Sequence, residues 1–179
     1  GSEASEASRY FYPPSPLSMG MELFGSSGIR GVVGEDLRPA DIVAVAAAAG
    51  SVWAVDRAAV GRDTRTTGGM LADAAASGLA SVGVDVDRLG RLPTPALQAY
   101  AEREGIPGLM VTASHNPGEY NGIKLVAADG VECSRETIES VESRLTADGD
   151  AGLSVGERNR LRTRDVDAVA WDETGAARA

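Results

Sequence analysis

The chain holds one cysteine, one histidine and one lysine among 179 residues, and each shortage excludes a chemistry. Cys133 alone cannot form an intrachain disulfide framework or a zinc site built on cysteine pairs, and it fits a reducing, cytoplasmic setting. With His115 as the only imidazole, a zinc centre made largely of His and Cys ligands is excluded as well. No apolar run reaches the roughly 18–20 residues of a membrane span. The longest, around Ile42 to Val55, is interrupted by Gly50 and Ser51. Seventeen basic residues against 26 acidic ones give a net charge of −9, which opposes nucleic acid and anionic membrane surfaces as partners. Sixteen of the basic residues are arginine, so Lys124 stands alone.

What is present points to one domain, since about 100–200 residues is an ordinary domain length. Residues 1–20 are rich in Ser, Glu and Pro, lack a basic start and a long apolar core, and read as a disordered tail or expression remnant rather than a secretory signal. The fold is expected to start near Met21 and to run to residue 147. Within it, helical and strand-like stretches alternate. Pro39 opens an Ala-rich helix through Val55, Ala58 to Val60 reads as a strand, and Gly69 to Ser81 as a helix stopped by Gly83. Val84 to Leu89 is an expected strand, Pro95 to Glu104 a helix ending at Gly105, and Leu109 to Val111 a short buried strand. A loop from Thr112 to Gly122, a strand from Ile123 to Val126, a turn at Asp129-Gly130 and a helix from Ser134 to Leu145 complete it.

Strands separated by helices imply βαβ units and a three-layer α/β domain. Ligands of such sheets gather at loops leaving the strand C-terminal ends, here Phe24 to Gly31, Gly61 to Thr67 and Thr112 to Gly122. Residues 148–179 are expected to form a polar excursion, solvated from Glu157 to Asp167, with Val166 to Trp171 docking back as the start of a linker.

Thr112-Ala113-Ser114-His115-Asn116-Pro117 follows an apolar strand and is bounded by Pro117-Gly118 and Asn121-Gly122, so Ser114 is expected on an exposed turn. A serine hydrolase needs a nucleophile elbow and a separate His, and the only His is the adjacent residue. The triad reading therefore fails. Phe24-Gly25-Ser26-Ser27-Gly28-Ile29-Arg30-Gly31 offers glycines, hydroxyls and a cationic fork suited to phosphate oxygens, though a plain flexible hairpin fits it equally. No Gly-Lys-Ser/Thr of a P-loop exists anywhere. Gly61-Arg62-Asp63-Thr64-Arg65 adds two cations and a carboxylate, with Arg62-Asp63 readable as a structural ion pair and Lys124 as a solvated strand residue.

Together, and in this order, these segments resemble the α-D-phosphohexomutases: phosphoglucomutases, phosphomannomutases and phosphoglucosamine mutases. The resemblance runs from about Met21 to Leu145, covers the family's first domain, and is carried most specifically by residues 112–117 followed by Glu119-Tyr120-Asn121-Gly122-Ile123-Lys124. In the Gly-rich opening Ser26 stands where the family has Thr. The resemblance implies an α/β/α domain with a mixed sheet. It further implies that Ser114 carries a transferable phosphoryl group and gives an oxygen to Mg²⁺, that His115, Asn116, Ser27 and Arg65 hold phosphate, and that Arg30 and Lys124 move protons or stabilise the transferring group. A hexose phosphate is the implied substrate, with a hexose 1,6-bisphosphate as intermediate and activator. The family's metal loop belongs to a further domain, and Asp148-Gly149-Asp150 lacks its third Asp and its Arg. The chain by itself is accordingly expected to fold without turning over substrate. The alternative is a non-catalytic phosphate-binding or interaction module derived from the same domain.

Overall fold

The computed structural model describes residues 24–25, 28–146 and 163–165. Strands β1 (Phe24–Gly25) and β2 (Gly28–Val32) form an antiparallel hairpin, and helix α1 (Pro39–Trp53) follows. Then come β3 (Arg57–Arg62), α2 (Gly68–Ser81), β4 (Asp85–Arg91), α3 (Thr94–Glu104), β5 (Gly108–Val111), β6 (Tyr120–Val126), α4 (Arg135–Thr146) and β7 (Thr163–Asp165). The seven strands lie in the order β1-β2-β6-β5-β3-β4-β7. From β5 to β7 neighbours are parallel, while β1, β2 and β6 pair antiparallel, so the sheet is mixed as expected.

Alternation along the central strands sorts side chains into two cores. Ala58, Val60, Leu109, Val111, Ile123 and Leu125 face α1, α2 and α4, while Ala59, Met110 and Val126 face α3 with Leu97 and Tyr100. This makes three layers. Pro39 occupies the first turn of α1, and Asp41 accepts the Arg38 N–H at 2.8 Å, satisfying one of the orphan donors at the helix start. The tetra-alanine run Ala46 to Ala49 is wholly buried because α1 packs closely on α2. A Cβ on Gly78 would collide with the Val43 carbonyl and come within 2.7 Å of Ala46 Cβ, so the crossing needs the glycine. Fully buried leucines such as Leu71, Leu79 and Leu97 each contribute about 1.5–3 kcal/mol by leaving water.

Two expectations are corrected. Phe24–Gly25 and Gly28–Val32 pair antiparallel, the hairpin alternative, so this segment is not a loop leaving a parallel strand, and Arg30 lies on a strand opposite Gly122. The polar C-terminal excursion contains β7, whose Thr163 to Asp165 pair parallel with Val86 to Arg88. Alternating charge obscured a short edge strand there, since an edge needs backbone pairing on one side only. The expected element at Val166 to Trp171 lies outside the described residues. No helix among the described residues is long and apolar enough to cross a membrane.

Candidate active site

The segment between β5 and β6 begins at the C-terminal end of β5, beside the C-terminal end of its parallel neighbour β3. It connects antiparallel neighbours, a hairpin connection rather than a βα crossover. Ser114 and His115 are exposed at its turn, with Asn116 half-buried. Ser114 has φ of 51°, one of two non-glycine residues with positive φ among the described residues, the other being Ala54 at the end of α1. A left-handed conformation costs an L-residue roughly 1–2 kcal/mol, so it persists where the surroundings impose it.

The surroundings are a polar scaffold. The Ser114 N–H donates to Thr112 Oγ1 at 3.1 Å, and the Thr112 hydroxyl donates to Asp63 Oδ2 at 2.8 Å. Asp63 Oδ1 accepts the Arg65 N–H at 3.0 Å, and the Asn116 N–H closes the turn on the Ala113 carbonyl at 3.1 Å. Asp63 therefore serves Arg65 and Thr112, whereas Arg62 reaches only the Asp63 main-chain oxygen, at 3.4 Å, and not the expected carboxylate.

Arg65 holds the rest of the loop. Its Nη1 donates to the carbonyls of Pro117 at 2.6 Å and Tyr120 at 2.9 Å; its Nη2 donates to those of Ser114 at 3.0 Å and Asn116 at 2.7 Å. Nε lies 3.3 Å from Asp63 Oδ2, within ion-pair range but outside hydrogen-bond alignment. Arg65, expected to hold phosphate, directs its planar fork to four carbonyl oxygens of the turn. Fully buried Asn121 adds a second tie: Nδ2 donates to Thr67 Oγ1 at 3.0 Å, and Oδ1 accepts the Gly122 N–H at 2.9 Å.

Two cations flank the loop on one sheet face. Arg30 sits opposite Gly122 in the β2–β6 register, and Lys124 is two residues further along β6 on that same face. Arg30 Nη1 donates to Asn116 Oδ1 at 3.4 Å, which brings β2 and the Ser114 loop together. Lys124 is not brought to Ser114 in this way. Its Nζ donates to Glu132 Oε1 at 2.7 Å. Ser27 lies outside the described residues, as do Asp148 and Asp150.

Among the described residues no group of three His, Cys, Asp or Glu side chains is placed to hold a metal. Mg²⁺ takes near-octahedral oxygen ligation, and the expected ligand, a phosphate oxygen on Ser114, would be only one of these oxygens. These residues therefore do not fit a complete Mg²⁺ site, and no chemical step is assigned to the ion.

Thr112 and Asn121 stand in the quoted segments with no role read for them, and Glu132 stands in none. The first two carried a readable signal, polar residues at the edges of apolar strand patterns, whereas Glu132 looked like one more surface carboxylate.

A family model described as phosphoglucomutase/phosphomannomutase, alpha/beta/alpha domain I, matches residues 21–151. The chain is 43% identical over 123 residues to the phosphoglucosamine/phosphogalactosamine mutase of Sulfurisphaera tokodaii, covering 68% of this chain and 27% of that protein. With the phosphoglucosamine mutase of Thermobifida fusca it shares 42% identity over 157 residues, covering 82% and 34%. A phosphoglucomutase/phosphomannomutase family protein from Burkholderia thailandensis superposes with a TM-score of 0.61 at 32% identity, over 70% of this chain and 30% of that one. The mixed α/β/α architecture is the class; within it, the chain belongs to the phosphoglucomutase/phosphomannomutase family and contains its domain I. It spans about a third or less of the length of these relatives.

Proposed function

We propose that this chain is the phosphoserine-bearing domain of a phosphohexomutase and that Ser114 is the group carrier. The observation that supports this most is the Ser114 turn: an exposed hydroxyl on a strained, left-handed residue whose backbone is tied down through Thr112 and Arg65. A phosphoryl carrier needs such a fixed, accessible oxygen, because in-line transfer depends on positioning and on positive charge around the equatorial oxygens. In the forward step the Ser114 Oγ–P bond breaks as a hydroxyl oxygen of a hexose monophosphate forms a new O–P bond, the hydroxyl giving up its proton and the departing Ser114 Oγ gaining one. The product is a hexose 1,6-bisphosphate. After that reorients, Ser114 Oγ takes the other phosphoryl group, so phosphate is conserved and the isomeric monophosphate leaves.

In this reading Arg30 stabilises the transferring group and His115 and Asn116 orient it, supported by the hydrogen bond from Arg30 to Asn116. Lys124 acts once it exchanges Glu132 for the phosphoryl group or the sugar hydroxyl. Relatives named as phosphoglucosamine mutases make glucosamine phosphate the first substrate to try; a single cysteine fits a cytoplasmic setting. The test is isomer conversion by a protein that carries this chain together with the further length its relatives possess, compared with its Ser114→Ala variant. Conversion abolished by the substitution supports the reading; full turnover without the Ser114 hydroxyl refutes it.

A further inference from the structure

We infer that Arg65 is a positioning residue whose four terminal N–H groups, each spent on a different loop carbonyl, set the Ser114 turn and aim its peptide groups for phosphoryl transfer. This rests on the proposed role of Ser114. The stoichiometry carries it. A guanidinium has two N–H bonds on each terminal nitrogen, and here two carbonyls accept from Nη1 and two from Nη2. Binding a phosphate through those nitrogens would require surrendering a carbonyl.

The capture also fixes the polarity of the loop. Across a trans peptide the C=O and N–H point in opposite directions. With the Ser114 and Pro117 carbonyls drawn onto Arg65, the N–H groups of His115 and Gly118 are directed away from the guanidinium. Outward amides next to an exposed hydroxyl present donors suited to an anion. Arg65 is itself held from below, its backbone N–H on Asp63 Oδ1 and its side chain 11% exposed. Lys at this position keeps the charge but loses the planar fork, so it cannot serve four carbonyls at once.

Two readouts decide the matter, one independent of activity. In ¹⁵N spectra of the wild-type chain, a guanidinium gripped by four acceptors should show restricted rotation and separately resolved Arg65 Nη signals. In Arg65→Lys the amide signals of His115, Asn116 and Gly118 should move while those of α1 and α2 stay. In a protein with the relatives' further length, Arg65→Lys and Arg65→Met should both lose kcat on the order of 100-fold with KM little changed, the scale of a misplaced reacting group. Freely rotating Arg65 Nη groups in the wild-type chain overturn the proposal, as does an Arg65→Lys variant with an unmoved loop and near-normal kcat. A rise in KM confined to Arg65→Met, with Arg65→Lys retaining activity, makes Arg65 a phosphate ligand instead. Should Arg65→Lys fail to fold, the wild-type Nη signals still decide. Failure of Ser114 itself to carry phosphate sinks the functional reading and leaves the loop measurements standing.

Discussion

Lys124 Nζ lies 2.7 Å from Glu132 Oε1, and the lysine is only 15% exposed while its partner is 41% exposed. The strand return that presents Glu132 is fixed by its bridge to Val126 and by the Cys133 N–H on the Leu125 carbonyl at 2.9 Å. The only lysine of the chain is thus held by a carboxylate that solvent can reach.

Lys124→Met should lower turnover by on the order of 10²–10⁴-fold if the lysine transfers a proton. Stability should fall by no more than about 1 kcal/mol, because a partly exposed ion pair contributes little. Steady-state rates read beside thermal melts check both, and unchanged turnover removes Lys124 from the chemistry.

Asp63→Asn should cost about 1–3 kcal/mol. The carboxylate accepts from both the Thr112 hydroxyl and the Arg65 N–H, and hydrogen bonds to a charged group lie at the stronger end of the range. Denaturant unfolding measures it. Loss of the Ser114 turn should accompany the drop, since Thr112 links the two.

Gly122→Ala should destabilise by about 1–3 kcal/mol, as overpacking does. A Cβ there would collide with the Ile29 carbonyl and stand 3.0 Å from Arg30 Cγ, so Arg30 would also be displaced from Asn116. Gly118→Ala is the control: nothing lies within 4 Å of its Cβ position, and the change should stay within about 0.5 kcal/mol.

Burial pushes the Cys133 thiol up to about 11 from an ordinary 9.0, the Asp129 charge adding to the rise and a Trp53 contact opposing it. Between those values the folded chain keeps a proton that the unfolded chain releases. The stabilising contribution is therefore complete below pH 9 and is lost as pH rises towards 11. Alkylation of native Cys133 should be slow at mildly alkaline pH, and the stability of Cys133→Ala should fall less steeply across that window than the wild type. Rapid labelling of the native chain would contradict the raised value.

Much of the layer architecture was legible because it rests on local patterns: Pro39 at a helix start, Gly105 at a helix end, and apolar runs such as Leu109 to Val111. The residues 112–117 marked the candidate site for the same reason, a turn signal directly after a buried strand. What escaped reading depends on pairing across the sheet. The hairpin alternative is decided by β1 pairing with β2, the place of Arg30 by β2 lying against β6, and β7 by the open edge of β4. The tasks of Arg65 and Glu132 were illegible because their partners lie 49–55 and 8 residues away, and only the fold brings them into contact.

The central claim is that Ser114 carries the phosphoryl group, and phosphopeptide mapping tests it most directly. A protein containing this chain and the further length of its relatives is incubated with a hexose 1,6-bisphosphate, digested, and each phosphorylated residue located by mass. The account predicts phosphate on Ser114 and none on the same peptide of Ser114→Ala. Phosphate on another residue, or an unmodified Ser114 in a protein that converts hexose phosphates, would contradict it.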